Sequence, residues 1–327
     1  MEIFVPQILI PKFLEPNDLF PVKFGVWGEY EVIKKTFNIL KGKFEETQRL
    51  FFKDNKNIIT DLGLKYLAGN TLSMGGIVQY LQLGTGTTTP VSTDTSLAVY
   101  GTNVASPSSL SRQGAAPDFY RQIQWDIGLS SAIGTWTEVG CGWSNATSNN
   151  LFSRNLFKDS NGNPVSVQKT SSDTLTVIYR IHFIRTTDIP TEDVIAVTGG
   201  TGSITAQSLI LNNALSSATS QNINYLPSVG YHHLGTNSNA LVPTLIDVRT
   251  SLGAASLANI VAYVTGATYR DYVIEWPANL VGTIYEASTA FMDDSLASAV
   301  FRFVEGIPKD NTKKFRLNYR VNYGRAA

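Results

Sequence analysis

Three histidines, one cysteine, a Gly-Thr-Gly turn and a few adjacent carboxylates are the residues of this 327-residue chain whose types could do chemistry. His232 and His233 are neighbours, and on a strand neighbours point to opposite faces, so the pair cannot hold one metal from one side. His182 stands alone in a strand-like run. Gly84-Thr85-Gly86 before Thr87–Thr89 has the glycines of a phosphate loop without its lysine, its spacing or a following helix signal, and it reads as a turn. Neither a Gly-x-Ser-x-Gly elbow nor a His-Glu-x-x-His pattern occurs. Glu45-Glu46 and Asp293-Asp294 are neighbours on one segment, which does not set an acid and a base across a bond; they read as solvated charge. Cys141, the single cysteine, excludes an intrachain disulfide framework and a cysteine-rich zinc site, and reads as a small buried hydrophobe. The expectation is a chain with no catalytic residue, no cofactor and no metal, and hence not an enzyme.

Five tryptophans supply the other kind of site, an aromatic platform. Trp125 and Trp276 lie in strand-like runs and read as core. Trp143 lies among Gly142, Ser144, Asn145 and Asn149, a loop context, and is the candidate exposed aromatic. Asn145-Ala146-Thr147 fits the glycosylation acceptor pattern, which matters only in a secretory pathway for which the N-terminus gives no signal.

Elements that could position these residues are mostly strands. Charged residues are only 16% of the chain, and the apolar positions favour Val, Ile, Tyr and Phe between Gly, Ser, Thr and Asn clusters. Lys23 to Phe52 alternates well enough for two to four strands, with Gly25, Gly28 and Gly42 as turn candidates. Further strands are expected at Val78–Leu83, Tyr120–Ile127, Thr135–Val139, Leu151–Phe157 and Leu175–Ile184, with a turn at Asn161-Gly162-Asn163-Pro164. One short helix is expected at Thr60 to Ala68, capped by Thr60 or Asp61 and ended at Gly69. Residues 1–22 carry a proline about every five positions and read as an extended arm, whose Ile3, Phe4, Val5, Ile8, Leu9, Ile10, Phe13 and Leu14 need a surface to lie on, either the chain's own or a neighbouring subunit's.

The sequence also repeats itself. Tyr80-Leu81-Gln82-Leu83-Gly84-Thr85 returns as Tyr231-His232-His233-Leu234-Gly235-Thr236. Thr95-Ser96-Leu97 returns as Thr250-Ser251-Leu252, and Ile123-Gln124-Trp125 as Ile274-Glu275-Trp276. Gly134-Thr135 with Glu138 returns as Gly282-Thr283 with Glu286, Leu151-Phe152 as Val300-Phe301, and Tyr179-Arg180 as Tyr319-Arg320. Preserved order argues for duplication. The expected fold is all-β, with two tandem, related β-sandwich modules of jelly-roll or immunoglobulin-like type, residues 23–187 and 188–327, behind the arm 1–22.

Lys+Arg and Asp+Glu both total 26, so no broad field draws the chain to nucleic acid or an anionic membrane, and neither is expected as a partner. No run approaches the roughly 20 apolar residues of a membrane span. The first module resembles a segment of tail-fibre, collar and other minor structural proteins of tailed bacteriophages. The resemblance rests on Asn57-Ile58-Ile59-Thr60-Asp61-Leu62-Gly63-Leu64, Leu81–Gly86 with Pro90, Asp94-Thr95-Ser96-Leu97, Gly134 with Glu138-Val139-Gly140, Leu151-Phe152-Ser153-Arg154 and Leu175–Ile181. It implies a non-enzymatic virion component made in the host cytoplasm. Such a component would form a homo-oligomer and bind other virion structural proteins at the tail, collar, neck or baseplate. The alternatives are a head decoration or cement protein and a receptor-binding module for a host surface glycan.

Overall fold

The computed structural model describes residues 7–9, 20–51, 57–69, 74–115, 118–185, 193–197, 200–209, 233–235, 251–254, 257–290 and 298–326. The chain divides into two compact bodies: Gly25–Gly114 with Asp118–Ile184 and Tyr323–Ala327, and Arg185–Asn322 with Met1–Phe24 and Ala115–Pro117.

The first strand, β1 (Gln7–Leu9), belongs to the second body. The first body then runs through β2 (Phe20–Asn38), β3 (Lys43–Phe51), β4 (Ile58–Ile59), helices α1 (Asp61–Gly69) and α2 (Met74–Ile77), β5 (Tyr80–Gly84) and β6 (Tyr100–Ala105). It continues through β7 (Ser109–Ala115), β8 (Asp118–Ile127), β9 (Gly134–Trp136), β10 (Glu138–Gly142), β11 (Leu151–Leu156), β12 (Val167–Lys169) and β13 (Asp173–Arg185). One sheet has the order β2-β13-β8-β7, with β3 also on β2; a second has the order β4-β11-β10-β5-β6; β9 and β12 pair separately.

Alternation in the first sheet does what a half-buried strand requires. Leu175, Val177, Tyr179, Ile181 and Phe183 of β13 are buried, as are Ile123, Trp125 and Ile127 of β8, and the register sets Val177 opposite Trp125. The inner strands β10 and β11 are buried along their whole length. Tyr30 on β2 and Ser153 on β11 join the two sheets through their hydroxyls, 2.8 Å apart. α1 sits where the sequence expects it: the Thr60 Oγ1 accepts the Gly63 N–H at 2.8 Å as its N-cap. Gly42 makes the β2–β3 turn with φ +62°. Gly25 and Gly28, expected as turns, lie inside β2 instead. Gly28 is there for close approach, because a Cβ would come within 2.3 Å of both Asn57 Oδ1 and the Tyr179 hydroxyl.

The second body contains β14 (Asp193–Val197), β15 (Gly200–Leu209), β16 (His233–Gly235), β17 (Ser251–Ala254), β18 (Leu257–Ile260), β19 (Tyr269–Trp276), β20 (Gly282–Ala290), β21 (Ser298–Lys309) and β22 (Lys313–Arg325). One sheet has the order β14-β15-β21-β20-β16-β17; β18, β19 and β22 pair side by side in that order, with β1 parallel to β22. The strand wiring of the first body recurs. β5 lies between β6 and β10 as β16 lies between β17 and β20; Gly84 is opposite both Tyr100 and Glu138, and Gly235 is opposite both Ser251 and Glu286. The break at Thr137 between β9 and β10 has its counterpart in the register shift between Ile284 and Glu286.

Two details of the sequence repeat change. Glu138 is opposite Leu156 and Glu286 is opposite Arg302, so Leu151-Phe152 does not fall on the rungs of Val300-Phe301. Trp125 faces Val177 while Trp276 faces Phe315, so with Tyr179-Arg180 and Tyr319-Arg320 equated the two tryptophans differ by two residues in register. Both are fully buried, as expected.

Asp173 ties the β12–β13 turn to β2. Burial raises its carboxyl, but the Thr36 hydroxyl at 2.6 Å, the Thr170 N–H and hydroxyl at 2.7 and 2.8 Å and Lys34 at 3.4 Å outweigh that and bring it from 3.8 down to about 2. A depressed carboxylate stabilises the fold above its unfolded value and loses that contribution as pH falls through its folded one. Acid titration of stability is therefore expected to lose about 2 kcal/mol through this group between about pH 4 and pH 2. In Asp173→Asn that segment of the urea-midpoint profile flattens, and the variant is already less stable at neutral pH.

Candidate functional site

Glu138 opens β10 with a carboxylate that is completely buried. Its Oε1 accepts the N–H of Gly86 at 2.9 Å and of Val99 at 2.9 Å, and its Oε2 accepts the Ala98 N–H at 3.1 Å and Arg154 Nε at 2.8 Å. Backbone donors from both ends of the Thr85–Val99 loop thus converge on one anion, as in an anion-binding nest, and the chain's own side chain fills it. Gly84 and Gly86 leave the room: a Cβ on either would lie 2.6 or 2.3 Å from Oε1. The Gly-Thr-Gly turn is therefore the wall of a carboxylate hole.

Arg154 on β11, 2% exposed, carries the clasp outward. Its Nη1 donates to Asp94 Oδ2 at 2.8 Å, and its Nη2 to the Thr88 carbonyl at 2.9 Å and hydroxyl at 3.2 Å. Asp94 in turn accepts the Val91 N–H at 2.9 Å. The loop is gripped at Gly86, Thr88, Asp94, Ala98 and Val99 by two side chains. Thr137 adds a hydrogen bond from its hydroxyl to the Gly86 carbonyl at 2.8 Å. Leu97 is buried over Gly140, where a Cβ would meet Leu97 and Leu151 at 2.9 and 2.8 Å.

The same strand holds α1. The Phe152 carbonyl accepts the Thr60 N–H at 3.0 Å, the Phe152 backbone occupies the space a Cβ on Gly63 would need, and Ser153 takes its place between Tyr30 and Cys141. Asn57–Leu64, Leu81–Gly86, Asp94–Leu97, Glu138–Gly140 and Leu151–Arg154 thus meet around one strand. Glu138, Arg154 and Asp94 stand in the sequence as members of separate motifs, and nothing in their spacing announces that they touch. The legible signal is an Arg and a Glu inside otherwise apolar strands, since a buried charge requires a partner.

Trp143 is half-buried, with one face stacked on Tyr66 of α1 at 3.7 Å and 5° between planes, so it does not project alone as expected. Asn145 and Asn149 beside it are exposed, and Asn150 pins their loop through the carbonyls of Ser144 and Ala146. Of the arm residues, Ile8 and Leu9 lie in β1, paired with Lys314 and Phe315 of the same chain. Ile3, Phe4, Val5, Ile10, Phe13 and Leu14 lie outside the described residues, as do His232 and Asp293-Asp294. His182 is stacked on Trp27 at 3.7 Å and tilted against Tyr120, with Glu29 3.7 Å from its Nε2. Burial pushes the Cys141 thiol up to about 12, which suits an inert core residue. Glu45 and Glu46 make exposed contacts with Lys41 and Arg49.

Among the described residues the most exposed large apolar side chains stand at the β2–β3 turn, where Ile39 is 84% and Leu40 97% exposed beside an edge-on Phe37–Phe44 pair. This turn is well fixed. Asn38 Oδ1 accepts the N–H groups of Leu40 and Lys41, and Glu45 accepts from Asn38 and Lys41.

Among the described residues no group of three or more His, Cys, Asp or Glu side chains gathers as a metal-binding set, and no helix is long and apolar enough to cross a membrane. No family model matches the chain, and no curated protein or solved structure matches it either.

Removing one member of the buried pair leaves the other charge and several N–H groups unpartnered. Glu138→Ala and Arg154→Met are each expected to cost about 3–5 kcal/mol in denaturant unfolding. Each is also expected to make the Thr85–Val99 loop the first site of limited proteolysis; an unchanged midpoint and cleavage pattern would show that the clasp does not hold the loop.

Proposed function

We propose that the chain is a non-enzymatic structural subunit of a tailed-phage virion. In this reading it has two related β-sandwich modules and assembles at the tail, collar, neck or baseplate through its N-terminal arm and module surfaces. The observation that carries the reading is the internal use of the charged residues Glu138, Arg154 and Asp94 of the resembling motifs. Glu138, Arg154 and Asp94 spend their hydrogen-bonding capacity on holding a loop, which is the economy of a scaffold. The recurrent strand wiring of the two bodies supports a duplicated module, and a subunit with two similar modules offers neighbours repeated contact surfaces. The held, water-exposed Ile39–Leu40 apex supports a contact role, since apolar side chains fixed in solvent mark interaction surfaces.

Light scattering of the full chain and of a form lacking Met1 to Pro21 tests the assembly reading. A defined oligomer that the truncation dissolves is the expected result. Ile39→Ser/Leu40→Ser is expected to leave the unfolding midpoint within about 0.5 kcal/mol of the parent, as surface changes do, while weakening or altering the oligomer. Two monomeric forms that also fail to join purified particles would sink the proposal.

A second reading, a glycan-binding module, draws on the Tyr66–Trp143 stack beside the exposed amides of Asn145 and Asn149. Loss of host-polysaccharide binding in Trp143→Ala, with parental stability, would favour it.

A further inference from the structure

Arginines in this fold normally reach carboxylates. Arg154 has Glu138 and Asp94, Arg180 has Glu29 and Glu31, Arg316 has Glu275, and Arg320 has Asp271. Arg270 of β19 is different. It is 9% exposed and shares its face of the strand with the buried Tyr272, Ile274 and Trp276, opposite the buried Val321. Its Nε and Nη1 are buried, and among the described residues neither has a hydrogen-bond partner. The ring of Tyr263 lies 5.6 Å from the guanidinium carbon, a cation–π contact that leaves the N–H groups unused. The Tyr263 hydroxyl, for its part, donates to the Ala267 carbonyl at 2.6 Å.

A guanidinium keeps its charge at any pH a protein experiences, so burial without an acceptor cannot be relieved by losing a proton. Left alone, the arrangement is strongly unfavourable. With Tyr179-Arg180 and Tyr319-Arg320 equated, the first body places Arg121, also buried, on the same rung opposite Ile181.

We propose that Arg270 anchors an anion-binding site in the second body, taking the oxygens of a carboxylate or phosphate group on its Nε and Nη1 donors, with the Tyr263 ring against the guanidinium. Guanidinium N–H groups match both oxyanions in charge and geometry, and the bound anion supplies the acceptors that Nε and Nη1 lack among the described residues. The site is independent of the virion reading, since it concerns the second body alone.

The test is thermal unfolding of the full chain followed by circular dichroism at neutral pH. Sodium phosphate and sodium acetate are titrated separately against sodium chloride at matched ionic strength. A ligand that binds only the folded state raises Tm by mass action, and a saturable rise of about 5 °C over chloride is expected in the parent chain. The rise is expected to vanish in Arg270→Met, whose Tm without added anion equals or exceeds the parent's because the uncompensated charge is gone. A response to phosphate alone assigns the site to a phosphate group; a response to acetate assigns it to a carboxylate, such as one carried by a partner protein. If neither anion raises the parent's Tm above chloride, or if Arg270→Met keeps the parent's rise, the proposal is overturned. If Arg270→Met fails to fold, Arg270→Gln takes its place with the same two outcomes: loss of the rise supports the site, and a retained rise overturns it.

Discussion

A single buried carboxylate organises the first body. Glu138 sits where water cannot reach it, and an ion in that position survives only if its oxygens are saturated with donors. Three backbone N–H groups and one guanidinium nitrogen saturate it. The arrangement constrains much of its surroundings. The turn must carry glycines, the loop must return so that Ala98 and Val99 face inward, and β11 must present an arginine at the rung opposite Gly140. Paired buried charges add little net stability against an apolar replacement, but a wrong register here would leave both charges unpaired.

The second body keeps part of the strand wiring of this arrangement. Its register sets Glu286 opposite Gly235, as Glu138 is set opposite Gly84, and places Arg302 directly across from Glu286. Another shared device is an amine. Lys169 lies opposite Gly134 and donates to the Leu129 and Thr170 carbonyls; Lys309 lies opposite Gly282 and donates to the Ala278 and Leu280 carbonyls. Both lysines are buried, and burial pulls both amines below their ordinary range while the nearby Asp173 or Asp310 pulls the other way. Each caps the loop that follows a core tryptophan. Motif comparison missed this, because a lysine among turn residues looks like solvated charge until the strand register shows which carbonyls lie beneath it.

What the sequence revealed follows from how local each signal is. Alternation, the Thr60 cap and the Gly42 turn depend on neighbours within a few positions, and the strands and helix appear close to where those signals put them. Gly25 and Gly28 mislead for the complementary reason, since their role is set by Ala326 and by Asn57 with Tyr179, far along the chain. The Glu138–Arg154 contact joins β10 to β11, and Arg154 to Asp94 spans sixty residues. Such pairs can be foreseen only as a charge lacking an apolar excuse. The loop context of Trp143 carries no sign of its partner, because Tyr66 comes from a helix on another part of the chain.

The hairpin β2–β3 shows how the same residues can close one route of association and leave another open. Its outer strand pairs only with β2 among the described strands, and a free edge invites uncontrolled pairing. Thr47 is left over as a bulge where Lys34 faces Gln48 and Lys35 faces Glu46, and Lys43, Glu45, Glu46 and Arg49 line the strand. Bulge and charge are the usual guards of an edge. The apex carries no such guard: its turn is pinned by Asn38 and Glu45 so that Ile39 and Leu40 stand in solvent. A pinned turn loses little further conformational freedom on docking, so more of the apolar burial is kept as affinity. The hairpin thus guards its edge and leaves its tip apolar.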